Sequence, residues 1–220
     1  MDPREDEKRA AAQAAALLAE DGMRLGLGTG STVAHFLPAL ARRQLDVLCV
    51  ATSERTEQAA RALGLQLQPF DVLDRLDLAV DGADQVDPNL WLVKGGGGAH
   101  TREKVVAAAA DLFVVIVSSD KLVELVGPPV PLEVLRFGLA ATVRRLSSLG
   151  DVQRRETELT PDGNVIVDYL GPVDDPLSLS AELDAVPGVV DHGLFSPGLI
   201  SEVLVGRGDG TVDHLVPGDR

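Results

Sequence analysis

Cysteine is nearly absent from this chain of 220 residues, in which Cys49 is the only one. A single thiol can neither close an internal disulfide nor supply the several thiolates of a structural zinc site. Cys49 also lies in an apolar segment, where we expect an inert, buried thiol. These features are typical of a protein from a reducing compartment, so we expect a cytoplasmic location.

Aromatic residues and positive charge are scarce as well. Phe, Trp and Tyr make up 3% of the chain, and 20 Lys and Arg face 34 Asp and Glu, for a formal net charge of -14. Such a surface repels a polyphosphate, and few rings are present on which bases could stack. We therefore exclude nucleic acid as a main partner and expect a core of Val, Leu, Ile and Ala.

Long apolar runs are also missing. The longest, residues 105–117, is interrupted by Asp111 and is shorter than the roughly 20 residues of a membrane-spanning helix. The first residues are acidic and lack the features of a signal peptide. At 45% apolar residues, however, the chain can fill a large core. We expect a globular protein with no membrane partner.

Strand and helix patterns alternate through the first half of the chain. The patterns predict helices at 7–20, from about 33, at 54–63 and at 101–110, and strands at 23–27, 47–51, 76–80 and 112–117. We expect the first helix to close at Gly22. This alternation is typical of a Rossmann-like α/β fold, with a mainly parallel sheet covered by helices.

The pattern changes after Gly127, where prolines at 128, 129 and 131 mark a boundary. The order that follows is strand, helix, strand, strand, helix, strand, which is the ferredoxin-like arrangement. Its predicted strands are 130–135, 152–159, 165–169 and 189–194, and its helices are 137–149 and 177–185. Residues 199–205 are apolar enough to return to the first sheet. We predict a Rossmann-like domain of residues 1–127 and 199–220, and a small ferredoxin-like α+β domain of residues 128–198.

The first motif that could carry chemistry is Gly28-Thr29-Gly30-Ser31-Thr32, between a strand and a helix. Amide N–H groups at a helix start suit an anion, and three hydroxyl groups add donors. Ser31 replaces the third glycine of a dinucleotide fingerprint, and no Gly-Lys-Ser/Thr follows, so neither familiar nucleotide loop fits. A phosphate site and a tight turn with a helix cap both remain open.

The second motif is Asp81-Gly82-Ala83-Asp84, at the end of an apolar strand. Ligands of open parallel sheets bind beyond the carboxyl ends of the strands. Two neighbouring carboxylates there would have different proton affinities, as proton transfer requires. The alternative is a strand end closed by an Asx turn.

The third motif runs from Lys94 through four glycines, Gly95 to Gly98, to Thr101-Arg102-Glu103-Lys104. Glycines let several N–H groups point at one oxyanion beside a fixed cation. If Thr101 caps the next helix, Glu103 lies in its first turn, where the helix dipole favours the carboxylate. A carboxylate near an oxyanion site can remove a proton next to a carbonyl group. Because four glycines are entropically costly, we favour a functional loop over a merely flexible one.

Together these motifs resemble those of the type A ribose-5-phosphate isomerase family. Its hallmarks are present as Gly28-Thr29-Gly30-Ser31-Thr32, Asp81-Gly82-Ala83-Asp84, Lys94-Gly95-Gly96-Gly97 and Thr101-Arg102-Glu103-Lys104. Further similarity at 131–134, 163–166 and 187–190 extends the resemblance over nearly the whole chain. The resemblance implies the same two domains that the strand and helix patterns predict.

By position, the resemblance implies that Glu103 moves a proton between two carbons of the sugar. Asp81 and Asp84 would handle hydroxyl protons, while Lys94 and the amides after it would stabilise an enediolate. The residues expected to bind the substrate are Gly28, Thr29, Gly30, Ser31, Thr32, Gly82, Ala83, Gly95, Gly96, Gly97, Lys121 and Lys8.

The implied reaction interconverts D-ribose 5-phosphate and D-ribulose 5-phosphate, in the non-oxidative branch of the pentose phosphate pathway. Neither a metal nor an organic cofactor is implied, and the family commonly forms homodimers or homotetramers. Two alternatives stay open. One is isomerisation or deamination of another sugar phosphate. The other is a noncatalytic sugar-phosphate sensor, which would have no reason to keep Asp81, Asp84, Lys94 and Glu103 together.

The chain departs from the family pattern at three positions. Gln85 replaces an acid, Gly98 replaces a frequent alanine, and His100 replaces an apolar residue. A substrate contact by His100 stays open, but we favour a surface or capping role. None of the three is assigned to proton transfer.

Overall fold

The computed structural model describes residues 3–218 and divides into two compact units. Unit 1 comprises Met1–Ala83, Arg102–Leu122 and Pro197–Arg220, and unit 2 comprises Asp84–Thr101 and Val123–Ser196. The outermost ends of the predicted larger domain, residues 1–2 and 219–220, lie outside the described residues. Among residues 3–218, no helix is long and apolar enough to cross a membrane.

Six α-helices and fourteen strands are described between residues 3 and 218. The helices are α1 (Pro3–Ala16), α2 (Val33–Ala41), α3 (Glu54–Ala62), α4 (His100–Ala108), α5 (Leu139–Leu146) and α6 (Pro176–Asp184). The strands are β1 (Arg24–Leu27), β2 (Leu48–Ala51), β3 (Gln66–Leu67), β4 (Leu76–Asp81), β5 (Gln85–Val86), β6 (Leu92–Val93), β7 (Ala110–Ser118), β8 (Val130–Val134), β9 (Val152–Arg154), β10 (Val165–Tyr169), β11 (Val189–His192), β12 (Leu194–Phe195), β13 (Glu202–Gly206) and β14 (Val212–Leu215).

Unit 1 is built on a seven-stranded sheet in the order β14-β13-β7-β4-β1-β2-β3. Every neighbouring pair is parallel except β13 and β14, which form an antiparallel edge. The predicted return of the last apolar stretch to this sheet is correct, because β13 pairs along β7. Alanines of α1, apolar residues of α2 and buried strand residues share one core. The prediction of a mainly parallel α/β fold is confirmed.

The first helix begins and ends earlier than the sequence pattern predicts. It starts at Pro3, and proline suits the first helical turn because it has no N–H that needs a partner there. It ends at Ala16, and the N–H groups of Leu17 and Leu18 bond to carbonyl oxygens three residues back. Gly22, expected as its cap, lies instead in a separate turn at φ +84° and donates to the carbonyl of Asp46.

Unit 2 contains the four-stranded antiparallel sheet β11-β8-β10-β9, with α5 and α6 in the connections. Its order is the ferredoxin-like arrangement that the pattern predicts. Leu132, Val134, Val167 and Leu183 are among the fully buried residues of its core.

A second, three-stranded sheet in unit 2, β12-β6-β5, is not predicted from the sequence. Because β5 and β6 pair with each other and β6 pairs with β12, residues 84–101 belong to unit 2 rather than to the larger domain in which the pattern placed them. The predicted strand 189–194 divides at Gly193 into β11 and β12. A Cβ atom on Gly193 would lie 2.2 Å from the carbonyl oxygen of Lys94, so only glycine fits there.

Candidate active site

The direction in which strands are added changes between β1 and β4 in unit 1. From β1 the chain proceeds to β2 and β3 on one side, whereas β4 and β7 lie on the other. Ligands of doubly wound folds bind beyond the carboxyl ends of the strands at such a point. The residues that follow β1 are the loop 28–32, and β4 ends in Asp81.

The Asp81 carboxylate lies against the loop that follows β1. It is 3% exposed, and its Oδ1 atom accepts hydrogen bonds from the amides of Thr29 at 2.9 Å and Gly82 at 2.7 Å. A Cβ atom on Gly28 would lie 2.0 Å from the carboxylate. Glycine is therefore required at position 28, because a side chain there would occupy the space of the Asp81 carboxylate.

The Thr29 hydroxyl has hydrogen-bond partners inside unit 1. It lies 2.9 Å from Thr52 Oγ1, 2.7 Å from Ser53 Oγ and 3.1 Å from Thr56 Oγ1. Ser53 is also the cap of α3, and its oxygen accepts from the Thr56 amide at 3.2 Å. Of the three hydroxyl groups predicted to face a phosphate, that of Thr29 connects the end of β1 to the start of α3.

The rest of the loop leads directly into α2. Thr32 occupies the cap position but makes no capping hydrogen bond with its side chain. Ser31 is exposed, and Gly30 has φ +137°, a region that L side chains rarely adopt. The backbone amides at the start of α2 are the feature of the loop that suits an anion.

Glu103 lies in the first turn of α4 and is 5% exposed. Helix α4 starts at His100, so Thr101 is the second helical residue and not the cap that the sequence pattern predicts. The position of Glu103 in the first turn is unaffected. A carboxylate there is favoured by the positive end of the helix dipole.

In unit 2, Asp84 binds the glycine loop and Lys94 directly precedes it. The Asp84 side chain accepts a hydrogen bond from the amide of Gly96 at 2.8 Å. Lys94 is 2% exposed, and its Nζ atom lies 5.5 Å from the centroid of the Phe195 ring, at cation–π distance. The Lys94 amide donates to the Gly193 carbonyl at 2.8 Å, which places the lysine at the end of β6.

His100 is buried rather than on the surface. Its side chain is 0% exposed, and a Cβ atom on Gly95 would lie 2.6 Å from the ring nitrogen Nδ1. Gly95 has φ +102°, so both its backbone conformation and the ring beside it require glycine. The expectation of a surface histidine is wrong, because the ring is fully buried, with Gly95 of the glycine loop beside it.

The two lysines expected to bind phosphate are both paired with acids of unit 1. Lys8 Nζ lies 2.7 Å from Glu5, and hydrogen bonds from Lys8 and His35 hold the pKa of Glu5 below its ordinary value. Lys121 Nζ lies 3.6 Å from Asp120. Partial burial raises the pKa of Asp120, but the hydrogen bond from Ser118 and the charge of Lys121 outweigh it and leave that pKa lowered.

Two residues that no sequence motif predicts hold the segment that precedes Lys121 and the glycine loop. Glu7 is 9% exposed and accepts from the Ser119 amide at 2.8 Å and the Ser119 hydroxyl at 2.7 Å, beside Lys121. Arg155 donates to the carbonyls of Gly95 and Gly96. Neither has a local motif, because their partners lie 112 and about 60 residues away in the chain.

One group of potential metal ligands in unit 2 was not expected either. Asp184, Asp191 and His192 offer ligand atoms within 4.8 Å of one another. His192 Nδ1 accepts from the Leu194 amide at 3.2 Å, and Nε2 lies 3.0 Å from the Ser180 hydroxyl. A neutral ring that accepts at Nδ1 carries its proton on Nε2, which leaves no lone pair for a metal. We assign this group a structural role.

The predicted site residues are shared between the units. Unit 1 contains Lys8, Gly28, Thr29, Gly30, Ser31, Thr32, Asp81, Gly82, Ala83, Glu103 and Lys121, and unit 2 contains Asp84, Lys94, Gly95, Gly96 and Gly97. The parallel sheet of unit 1, with a loop suited to anions and a buried carboxylate where its strand order reverses, defines the class of doubly wound α/β proteins.

Comparison with known proteins narrows this class to one family. The sequence profile of ribose 5-phosphate isomerase A (phosphoriboisomerase A) matches residues 48–210. The ribose-5-phosphate isomerase A of Rhodopseudomonas palustris (strain HaA2) is 46% identical over 224 residues, which cover 94% of this chain and 96% of that protein. The chain belongs to the ribose 5-phosphate isomerase A family.

Solved structures agree with this membership. The ribose 5-phosphate isomerase A of Methanocaldococcus jannaschii has a TM-score of 0.89 at 37% identity and covers 95% of this chain and 97% of its own. A D-ribose-5-phosphate isomerase in complex with phospho-erythronic acid has a TM-score of 0.91 at 37% identity, over 97% of this chain and 99% of its own.

Proposed function

We propose that this chain interconverts D-ribose 5-phosphate and D-ribulose 5-phosphate through an enediolate, as an aldose-ketose isomerase. The observation that carries the proposal is 46% identity to a ribose-5-phosphate isomerase A over 94% of the chain. The phospho-erythronic acid bound to a similar structure supports a sugar-phosphate substrate, since it joins a phosphate to a short polyhydroxy acid.

In unit 1, Glu103 is assigned as the base that moves the proton between C1 and C2. Its burial supports this role, because water then competes little for the carboxylate. Asp81 is assigned to a hydroxyl proton, and its Oδ1 atom is fixed by the amides of Thr29 and Gly82. A carboxylate held by backbone amides keeps its direction during the reaction.

In unit 2, we assign Lys94 and the amides of the glycine loop the role of stabilising the negative charge of the enediolate. Lys94 is buried, and a buried cation acts more strongly on a developing charge than an exposed one does. Asp84 is assigned to the second hydroxyl proton. It already accepts from the Gly96 amide, which fixes one of its oxygen atoms.

The phosphate is assigned to the loop 28–32 at the start of α2, with Lys121 and Lys8. The amides at a helix start provide a local positive potential within a chain of formal net charge -14. Lys8 is paired with Glu5 and Lys121 with Asp120. When phosphate binds, each lysine would therefore either leave its carboxylate for the phosphate or contact both groups.

Replacing Glu103 with Gln tests the proposed base. The amide has nearly the same shape but cannot accept the proton, so kcat for ribose 5-phosphate should fall by about 10² to 10⁴. The rate is measured as formation of ribulose 5-phosphate, with an amino-hexose phosphate assayed in parallel.

Glu54→Gln is the matched control, because Glu54 is also an acid in the first turn of a helix but is exposed. Its rate should equal that of the unmodified chain. Near-normal turnover by Glu103→Gln would contradict the role of Glu103 as the base. If the unmodified chain converts only the amino-hexose phosphate, ribose 5-phosphate is not the substrate.

We also propose a homodimer or homotetramer in the cytoplasm. An oligomer is supported by Phe137, which is 91% exposed beside Leu135, itself 43% exposed. Large exposed aromatic side chains are enriched at interfaces between subunits. The unpaired thiol of Cys49 is compatible with a reducing compartment.

A further inference from the structure

Arg155 connects the glycine loop to the antiparallel sheet of unit 2. Its Nη1 atom donates to the carbonyl oxygens of Gly95 at 2.9 Å and Gly96 at 3.1 Å. Its other edge forms a two-point pair with Asp168, Nε to Oδ2 at 2.8 Å and Nη2 to Oδ1 at 2.5 Å. The two side chains of this pair are 20% and 17% exposed.

The hydrogen bonds to these carbonyls also determine where the loop amides point. In a trans peptide unit the C=O and the following N–H point in opposite directions. The Gly95 carbonyl is held by Arg155, and the Gly96 amide of the same peptide unit donates to Asp84 on the other side. The Gly96 carbonyl is held by Arg155 too, so the Gly97 amide also points away from the guanidinium.

The loop needs an outside support of this kind. Gly95, Gly96, Gly97 and Gly98 have no side chains of their own to fix them, and glycine has the largest backbone entropy to lose. Within the loop, the Gly98 amide donates to the Gly95 carbonyl at 3.0 Å. This turn holds the Gly95 carbonyl, but it leaves the central Gly96–Gly97 peptide unit free to rotate unless another group holds it.

Asp168 supplies the rigid end of the connection. It lies on β10, which pairs with β8 on one side and β9 on the other. A central strand is among the least mobile parts of a domain. The planar guanidinium can bind the carboxylate with one edge and the loop with the other, which the single ammonium group of lysine cannot do.

We propose that Arg155 is a positioning residue of the isomerase reaction, which holds the Gly95 and Gly96 carbonyls so that the Gly96 and Gly97 amides face Asp84 and the enediolate oxygen. The proposal rests on the proposed function, since only that reaction generates the oxyanion. Arg155 does not touch the substrate in this role. It acts through the orientation of the loop amides, and Asp168 acts through Arg155.

The kinetic test compares Arg155→Met, Arg155→Lys and Asp168→Asn with the unmodified chain. Arg155→Met should lower kcat by about 10-fold to 100-fold with little change in KM, because misplaced donors chiefly affect the transition state. The inhibition constant of phospho-erythronic acid should rise by a similar factor if its carboxylate is bound like the enediolate. Arg155→Lys and Asp168→Asn should show smaller losses in the same direction.

Arg154→Met is the matched control, since Arg154 is the adjacent, exposed arginine on β9. It removes the same charge and should leave kcat, KM and inhibition unchanged. If Arg155→Met lowers the melting temperature but leaves kcat and the inhibition constant unchanged, Arg155 has only a structural role and the proposal is wrong. A change in KM alone would also overturn it.

Backbone amide NMR separates this proposal from the proposed function. In Arg155→Met the Gly96 and Gly97 resonances should shift, and hydrogen exchange of the Gly96 amide should accelerate by about tenfold or more as its bond to Asp84 weakens. Arg154→Met should show neither change. If the unmodified chain lacks isomerase activity, the proposed function fails and the catalytic part of this proposal fails with it. Unchanged loop amides in an active enzyme overturn the positioning role alone.

Discussion

Close packing explains why glycine is required at two positions of the candidate site. The Asp81 carboxylate fits beside the loop after β1 because Gly28 has no side chain. His100 fits beneath the glycine loop because Gly95 has none. In both cases the glycine is required by a residue distant in the chain or by the backbone conformation, and a motif search detects only the glycine.

Replacing Gly28 with Ala should displace the Asp81 carboxylate. The new Cβ atom would lie 2.0 Å from it, so the loop or the end of β4 must move. We expect the free energy of unfolding to fall by about 1 to 3 kcal/mol and kcat to fall at least about tenfold. Urea unfolding and steady-state kinetics measure the two effects.

Gly127→Ala is the control for this prediction. No heavy atom lies within 4 Å of a Cβ atom built there, and its φ is not in the left-handed region. Its stability and rate should stay close to those of the unmodified chain. A Gly28→Ala variant as stable and active as Gly127→Ala would contradict the close approach of Asp81.

The Cys49 thiol should be unreactive in the folded protein. Burial raises its pKa to about 12, and the side chain is 0% exposed. At pH 8 only about one molecule in 10⁴ would carry the reactive thiolate. We expect no labelling by a disulfide reagent in buffer and complete labelling in denaturant. Rapid labelling of the folded chain would show that β2 opens readily.

Contacts between elements determine where the short segments lie. Glu7 of α1 holds the 3₁₀ helix Ser119–Lys121 through two hydrogen bonds from Ser119. A Cβ atom on Gly206 of β13 would lie 1.8 Å from the Glu7 carbonyl oxygen, so α1 also lies directly against that strand. The start of α1 is thus fixed by the sheet of unit 1.

Glu7→Ala should destabilise this junction. It leaves the Ser119 amide and hydroxyl without their acceptor, at an expected loss of about 1 to 3 kcal/mol in the free energy of unfolding. Glu20→Ala, at an exposed acid, should change it by less than about 0.5 kcal/mol. Equal values for the two variants, measured by urea unfolding, would argue against a role for Glu7.

Most long elements could be predicted from periodicity, whereas the short ones could not. Strands β4, β7 and β10 consist mostly of buried residues, and α2 has an apolar stripe. Strands β3, β5 and β6 have two residues each, which is too few for any pattern. Strand β9 ends at Arg154, short of the predicted residue 159.

Charge and exposed apolar surface are properties of the whole molecule. A formal net charge of -14 argues against a nucleic acid partner but says little about a small phosphate ester of about -2. We expect such an ester to be bound locally, through amides at a helix start and a few lysines. Exposed apolar side chains, by contrast, mark the surface on which we expect contacts between copies of the chain.

Phe137→Asp tests the proposed oligomer. If Phe137 is buried between copies, a charge there should weaken the assembly and lower the mass measured by light scattering after size-exclusion chromatography. The circular dichroism spectrum should stay the same, because the side chain is 91% exposed within the chain. An oligomer unaffected by the change would place the interface elsewhere.

The sequence by itself determined the fold class and the family, because periodicity, glycine positions and motif spacing are local properties of the chain. It also indicated which acids, lysine and glycines to consider for chemistry. Only the tertiary structure decided which hydroxyl of the loop is already engaged, that His100 is buried, that residues 84–101 join unit 2, and that Arg155 and Asp168 hold the glycine loop. Those facts depend on contacts between residues far apart in the chain, which no local pattern records.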